Sequence, residues 1–306
     1  MESYRNSKKS RRADEQTGSR PDKSSKRFAP KVGRPPAASG LPMRRAGMTS
    51  APNQDLTGRV AIVTGASRGM GRAAAIALAQ RGANVLGTAR DDGLLETLSR
   101  TSGITPLPLS LSQPGACDVI AESAHALGPA TILVHAAGRG GYLDRPIFDQ
   151  GLDDWRETMA VNLDSAFELS RLVARDIRHA GWGRIVLISS TAGEVGAPSM
   201  APYCASKHGV IGLMRSVAQD IAPFGGTCNA VLPSWVRTDM AERDAESEAE
   251  RRGMSARDVW AEREAANPAG RIVSVQEITD VISFLAGPAS SGVNGQAITV
   301  SLGSLW

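Results

Sequence analysis

"RVAIVTGASRGMGRAAAIALAQRGANVLGTA", residues 59–89, is the stretch whose reading decides the fold. Its opening, "RVAIVT" (59–64), is short, apolar and β-branched, the composition of a strand buried on both faces. It runs through "TGASRGMG" (64–71) into an alanine- and leucine-rich stretch that reads as a helix closed by Gly82. "NVLGTA" (84–89) is a second strand. Two such strands joined through a helix are parallel neighbours.

Outward from there the alternation continues. "LLETLSR" is a short helix, and "ITPLPLS" a weaker strand interrupted by prolines. A helix covers about 116–127, and "TILVHAAG" (131–138) is a fourth strand opening into glycine. The longest helical stretch runs from about Asp153 to His179, followed by strand "RIVLISS" (184–190). A helix from about Tyr203 to Ala222 and strand "TCNAVLP" (227–233) come next. A charged helical segment spans roughly 240–266, a shorter helix about 275–286, and "AITVSL" is the last strand. Apolar strands alternating with helices predict one α/β domain over residues 51–306, a single doubly wound parallel sheet of Rossmann type with helices on both faces. Ligands of such a sheet bind at the carboxyl ends of its strands, where the strand order reverses.

The net charge of +4 conceals a division: residues 1–50 carry +9 and the remainder −5. The head is rich in Lys, Arg, Ser and Pro with little to bury, the composition of a disordered segment. A nucleic-acid or anionic-surface tail is the functional alternative, and a translation start at Met48 is another reading of the same residues. No apolar run approaches a membrane span. Cys117, Cys204 and Cys228 lack the spacing of a disulfide framework or a zinc site, so no metal is expected and a reducing cytoplasm fits.

In "TGASRGMG", Gly65, Gly69 and Gly71 would let the backbone turn sharply and approach an anion at a helix N-terminus. Three glycines alone suit an ordinary strand-to-helix turn equally well, and the spacing is not G-x-G-x-x-G. A second feature is "YCASK" (203–207). From Ala51 onward the chain uses 21 arginines and one lysine, and that lysine, Lys207, follows Tyr203 by one helical turn.

Taken together, "TGASRGMG", "HAAG", the Asn of "MAVNL", "ISS" and Y-x-x-x-K thirteen residues past Ser190 occur in an order that resembles the short-chain dehydrogenase/reductase family. The resemblance covers nearly all of residues 55–303 and implies a dinucleotide-dependent oxidoreductase, assembled as a homotetramer. It implies Asn162, Ser190, Tyr203 and Lys207 as catalytic residues. It implies cofactor contacts at Gly65, Ser67, Arg68, Gly69, Met70, Gly71, Arg90, His135, Ala136, Gly138, Tyr203, Lys207, Pro233, Val236 and Thr238. Tyr203 would exchange a proton with the substrate oxygen, and a nearby ammonium would lower a phenol that titrates near 10 unaided. Lysine suits this place because it reaches a ribose hydroxyl and can release a proton, which arginine cannot. Ser190 would hold the substrate oxygen, with Ser189 as its alternative, and Asn162 would order a water beside the lysine.

Ala89 stands where an acid would select NAD(H), and Arg68 and Arg90 can pair with a 2′-phosphate. NADP(H) is therefore expected, with NAD(H) the alternative, although Asp91 and Asp92 lie close by. Departures from the family pattern are His135 for an Asn, Ser110 for an Asp, Ser234 for a Gly and the ending "VSLGSLW". The charged segment from Met240 to Arg271 falls where the family builds its substrate lid, with Met240, Met254, Val259 and Trp260 able to face the site. With "GRGGYLDRP" (138–146) as a second wall, the pattern resembles the acyl and polyketide ketoreductase branch. The expected substrate is a moderately large, partly apolar ketone or secondary alcohol. A silent cofactor-binding regulator, and an epimerase or dehydratase on the same fold, are the competing readings.

Overall fold

The strand opening the quoted stretch, β1 (Val60–Thr64), is buried along its whole length, as an all-apolar central strand must be. In the computed structural model, which describes residues 54–140 and 145–304, it is the third strand across a seven-stranded sheet. The other strands are β2 (Asn84–Ala89), β3 (Thr105–Pro108), β4 (Ala130–His135), β5 (Gly183–Ile188), β6 (Gly226–Pro233) and β7 (Ala297–Val300). Their spatial order is β3-β2-β1-β4-β5-β6-β7, all pairs parallel. The proline-bearing β3 is an edge strand, where a missing N–H leaves no central ladder broken.

Alternation along the strands divides the core in two. Ala61 and Val63 of β1, Val134 of β4, Val186 of β5 and Val231 of β6 face one side. There they meet α1 (Gly69–Gln80), α2 (Asp92–Ser102) and α9 (Val275–Leu285). Val60, Ile62, Leu133, Leu187 and Ala230 face the other, against α3 (Ala116–His125), α5 (Ser165–Ala180) and α6 (Ala201–Ile221). Each such Leu or Ile contributes about 1.5–3 kcal/mol on burial, so both helix layers are held mainly by the sheet they cover. A third, smaller core lies within the lid, α7 (Asp239–Arg252) and α8 (Ala256–Ala266).

The strand order reverses between β1 and β4, which opens the crevice above their carboxyl ends. Ala137 N donates to Thr64 Oγ1 at 3.0 Å, tying those two strand ends together. The turn after β1 leaves no room for side chains. A Cβ on Gly71 would stand 2.7 Å from the Gly65 carbonyl carbon, and one on Gly65, at φ +68°, 2.9 Å from Ala137 N. Gly71→Ala is expected to cost about 1–3 kcal/mol, seen as a fall of several degrees in Tm together with weaker dinucleotide binding by fluorescence titration.

The long helix expected from about Asp153 to His179 is α4 (Leu152–Met159) and α5 joined by a single π turn, Ala160–Asp164. Asn162 lies in that turn, where a wider winding frees a residue that is poorly suited to a regular helix. The expected basic head, residues 1–50, lies outside the described residues. Among the described residues no helix is long and apolar enough to cross a membrane.

Candidate active site

Tyr203 and Lys207 are one turn apart on α6, which crosses the carboxyl end of β5. The Lys207 ammonium lies 5.6 Å from the centre of the Tyr203 ring and donates to the Ile188 carbonyl at 2.9 Å. Only 4 % of Lys207 is exposed, and burial holds its amine down to about 8. The phenol departs from expectation. Burial pushes Tyr203 up to about 12; a hydrogen bond with Ser190 pulls the other way, and Asp244 adds to the rise. Desolvation outweighs any help from the ammonium, so with no cofactor bound Tyr203 is firmly protonated at neutral pH.

The two serines closing β5 separate cleanly. Ser189 Oγ donates to the Lys207 carbonyl at 2.9 Å and fixes α6 to the sheet. Ser190 caps the short turn Thr191–Gly193 through Ala192 N at 3.1 Å and sends its hydroxyl toward Tyr203. Asn162 also holds backbone together. Its Oδ1 accepts from Arg139 N at 2.7 Å, while Nδ2 donates to Arg139 O at 3.2 Å and Ser206 Oγ at 3.0 Å. Ser206 in turn donates to the Tyr203 carbonyl at 2.8 Å, so the loop after β4, the π turn and the start of α6 form one network. Gly138 sits against it: a Cβ there would lie 3.6 Å from both Asn162 Oδ1 and Lys207 Nζ.

The residues at these strand ends fit a dinucleotide. The glycine turn is a cradle that any Cβ would fill, and α1 begins at Gly69 without a side-chain cap, leaving its first N–H groups for an anion. Lys207 uses one of its three donors, which leaves two for ribose hydroxyls. Ser234 Oγ is buried without a hydrogen-bond partner among the described residues, at the cleft wall beside Pro233 and Val236, where a carboxamide would find it. Thr238 caps α7 through Ala241 N at 3.3 Å, and its methyl group would lie 3.3 Å from a Cβ on Gly69. Met70 reaches the cleft; Ser67 and Ala136 are half-buried at the ends of β1 and β4.

Two of the residues expected to meet the cofactor have other partners in the structure. His135 is buried, with Nε2 2.8 Å from Ser165 Oγ, a hydroxyl that itself donates to the Val161 carbonyl; its side chain faces α5 rather than a ligand. Burial, with the nearby Lys207 charge, holds its imidazole down to about 3, so it is neutral. Arg68 is already paired with Asp91 and Asp239, both at 2.7 Å. Arg90, exposed at the end of β2, has no such ion pair among the described residues and is the arginine open to a phosphate.

A cleft opens in front of Ser190 and Tyr203, walled by Met70, Met200, Trp235, Val236 and Met240. Of the four lid residues expected to face it, only Met240 does. Val259 and Trp260 are buried in the lid's own core with Met254 packed against them; Trp260 Nε1 donates to Glu242 Oε2 at 2.7 Å. Trp235 takes the place foreseen for Trp260, meeting it edge to face at 6.4 Å. Within the second expected wall, residues 141–144 lie outside the described residues. Sequence reasoning missed Met200, Trp235 as a wall residue, and Asp244. The chemistry on offer is proton transfer to an oxygen seated between a serine and a tyrosine, beside an anion cradle.

A family model described as enoyl-(acyl carrier protein) reductase matches residues 65–304. The chain is 36 % identical over 249 residues to the 3-oxoacyl-(acyl-carrier-protein) reductase of Salmonella typhimurium, covering 80 % of this chain and 97 % of that protein. It is 30 % identical over 254 residues to the D-beta-hydroxybutyrate dehydrogenase of Rhizobium meliloti, covering 80 % and 98 %. Among solved structures, a variant of actinorhodin polyketide ketoreductase with NADPH superposes with a TM-score of 0.75 at 32 % identity, over 82 % of this chain and 97 % of that one.

Proposed function

The chain belongs to the short-chain dehydrogenase/reductase family, nicotinamide-dependent enzymes acting on alcohol and keto groups, and we propose that it is an NADP(H)-dependent ketoreductase. In this reading it interconverts a moderately large, partly apolar ketone and its secondary alcohol. The observation that carries it is the meeting of the Ser190 hydroxyl and the Tyr203 phenol on an apolar cleft, with the buried Lys207 ammonium 5.6 Å from the centre of the Tyr203 ring.

A nicotinamide dinucleotide held there would supply or accept the hydride. Tyr203, protonated at neutral pH, gives its proton to the carbonyl oxygen in reduction and takes one back in oxidation. Ser190 donates to the same oxygen and orients it. Lys207 holds the ribose with its two remaining donors, and its charge stabilises the phenolate once the proton has left. Asn162 acts as a positioning residue, keeping the loop at Arg139 against α6. Gly65, Ser67, Gly69 and Gly71 would hold the pyrophosphate, and Ala136, Gly138, Pro233, Val236 and Thr238 would line the rest of the cofactor path.

Preference for the 2′-phosphate rests on Arg90 and on Ala89, which leaves the end of β2 without an acid. The bonds of Arg68 to Asp91 and Asp239 favour NAD(H) as the second reading, because they neutralise one of the two arginines. Purified protein should reduce members of a ketone panel with NADPH at least about tenfold more efficiently than with NADH, and Arg90→Ala should erase most of that ratio. Normal NADPH binding with no ketone reduced across the panel would overturn the assignment; equal use of both cofactors would overturn the NADP(H) part alone. Exposed Ile147, Phe148, Leu152, Trp155 and Phe167 on and beside α4 and α5 support subunit contacts, in keeping with a homotetramer. The free, buried Cys117, Cys204 and Cys228 accord with a cytoplasmic enzyme.

A further inference from the structure

We propose that Asp244 sets the charge preference of the substrate cleft, favouring ketones that carry a hydrogen-bond donor or positive charge away from the carbonyl and rejecting those with a carboxylate there. This rests on the ketoreductase reading of the same site.

Asp244 is one turn beyond Met240 on α7, and together with Ala241 these residues turn one face of the lid helix toward Ser190 and Tyr203. Its Oδ1 is 3.8 Å from the position a Cβ on Gly140 would occupy, so the missing side chain there leaves the carboxylate open to the cleft. It is the one acid among the described residues lining that cleft. None of the described hydrogen bonds or ion pairs involves it. Arg263, the cation acting on it most strongly, bonds Glu248 at 2.8 Å and stacks on Trp235 at 3.5 Å, while its Nη1 is buried without a hydrogen-bond partner among the described residues. Arg243, the other cation acting on it, is exposed. Burial holds the carboxyl above its ordinary range, and its charge raises the phenol opposite, so it acts across the space a substrate would fill.

A half-buried carboxylate on an otherwise apolar wall gains from a donor that enters beside it. A second carboxylate entering there meets a like charge in a medium of lowered dielectric, worth about 10- to 100-fold against it. The substrate class that fits is therefore a neutral or cationic ketone with a hydroxyl, phenol or amine several ångströms from the carbonyl.

Three acetophenones of one shape test this: 4-acetylbenzoate, 4-acetylbenzamide and 4-(aminomethyl)acetophenone. Affinity for the cofactor-loaded enzyme is measured by calorimetry and kcat/KM by cofactor absorbance. The wild type should rank them ammonium, amide, carboxylate, about 10-fold apart or more between the ends. Asp244→Asn should compress the series, raising the carboxylate and lowering the ammonium; Asp244→Ala must do the same. A charge-blind wild-type series overturns the proposal. So do variants that scale all three compounds by one factor, since that marks a structural partner of Arg263. Calorimetry reads the ranking even where nothing turns over, so absent turnover counts against the ketoreductase reading and a flat binding series against Asp244.

Discussion

Replacing Tyr203 with phenylalanine is expected to lower kcat/KM for ketone reduction by about 10²–10⁴-fold while dinucleotide affinity stays within about twofold. The ring remains, so the packing of α6 over the end of β5 and the contact with Lys207 survive. What is lost is a proton that burial keeps on the phenol, whose titration is pushed up to about 12. That position also fixes the sign with pH. Reduction needs the protonated phenol and should not lose it anywhere between pH 6 and about 9. Oxidation needs the phenolate and should climb with pH over the same interval. Steady-state rates in both directions, with dinucleotide Kd by fluorescence, check the substitution. A variant retaining more than a tenth of wild-type reduction would remove Tyr203 from its role.

Most of the fold was legible because it depends on local periodicity. The largely apolar β1, β4, β5 and β6, buried along their whole length, suit central strands of a parallel sheet, and the glycine turn joins β1 to α1. The positions of Tyr203, Lys207 and Ser190 follow from strand ends and helical spacing, so these too could be read. What could not be read depends on partners distant in sequence. Arg68 finds Asp239 across the domain, a bond no local pattern announces. Val259 and Trp260 face the lid's own core because two helices packed together need an apolar seam; their sequence suits the cleft equally well. Asp244 is one of six acids in a helix of fourteen residues, Asp239–Arg252, and only the fold singles it out. The direction of the Tyr203 shift was misread for a related reason. Charge partners show in a sequence, whereas desolvation is a property of the packed whole.

Lys207→Met should yield a protein that is more stable and nearly inactive. The amine is held down to about 8 from an ordinary 10.5 by burial alone, with one hydrogen bond to the Ile188 carbonyl in return. Keeping it charged at neutral pH costs about 3 kcal/mol, of which removing that hydrogen bond gives back about 1. Methionine fills the same space without a charge, so the cofactor-free variant should gain about 2 kcal/mol, or about 4–8 °C in Tm. Below pH 8 the lysine is protonated in both folded and unfolded chains and the cost is fully present. Between 8 and 10.5 only the unfolded chain still holds the proton, so wild-type stability rises with pH and the gap to the variant closes. Saturating dinucleotide should narrow the gap at neutral pH as well, because ribose hydroxyls would occupy the two idle donors that methionine lacks. Turnover should fall by about 10²-fold or more, since the phenolate left by proton transfer loses the adjacent Lys207 cation. Thermal melts of both proteins across pH 6–10.5, with and without NADPH, decide the matter: a variant less stable than wild type at pH 7 would mean the ammonium is a structural strut.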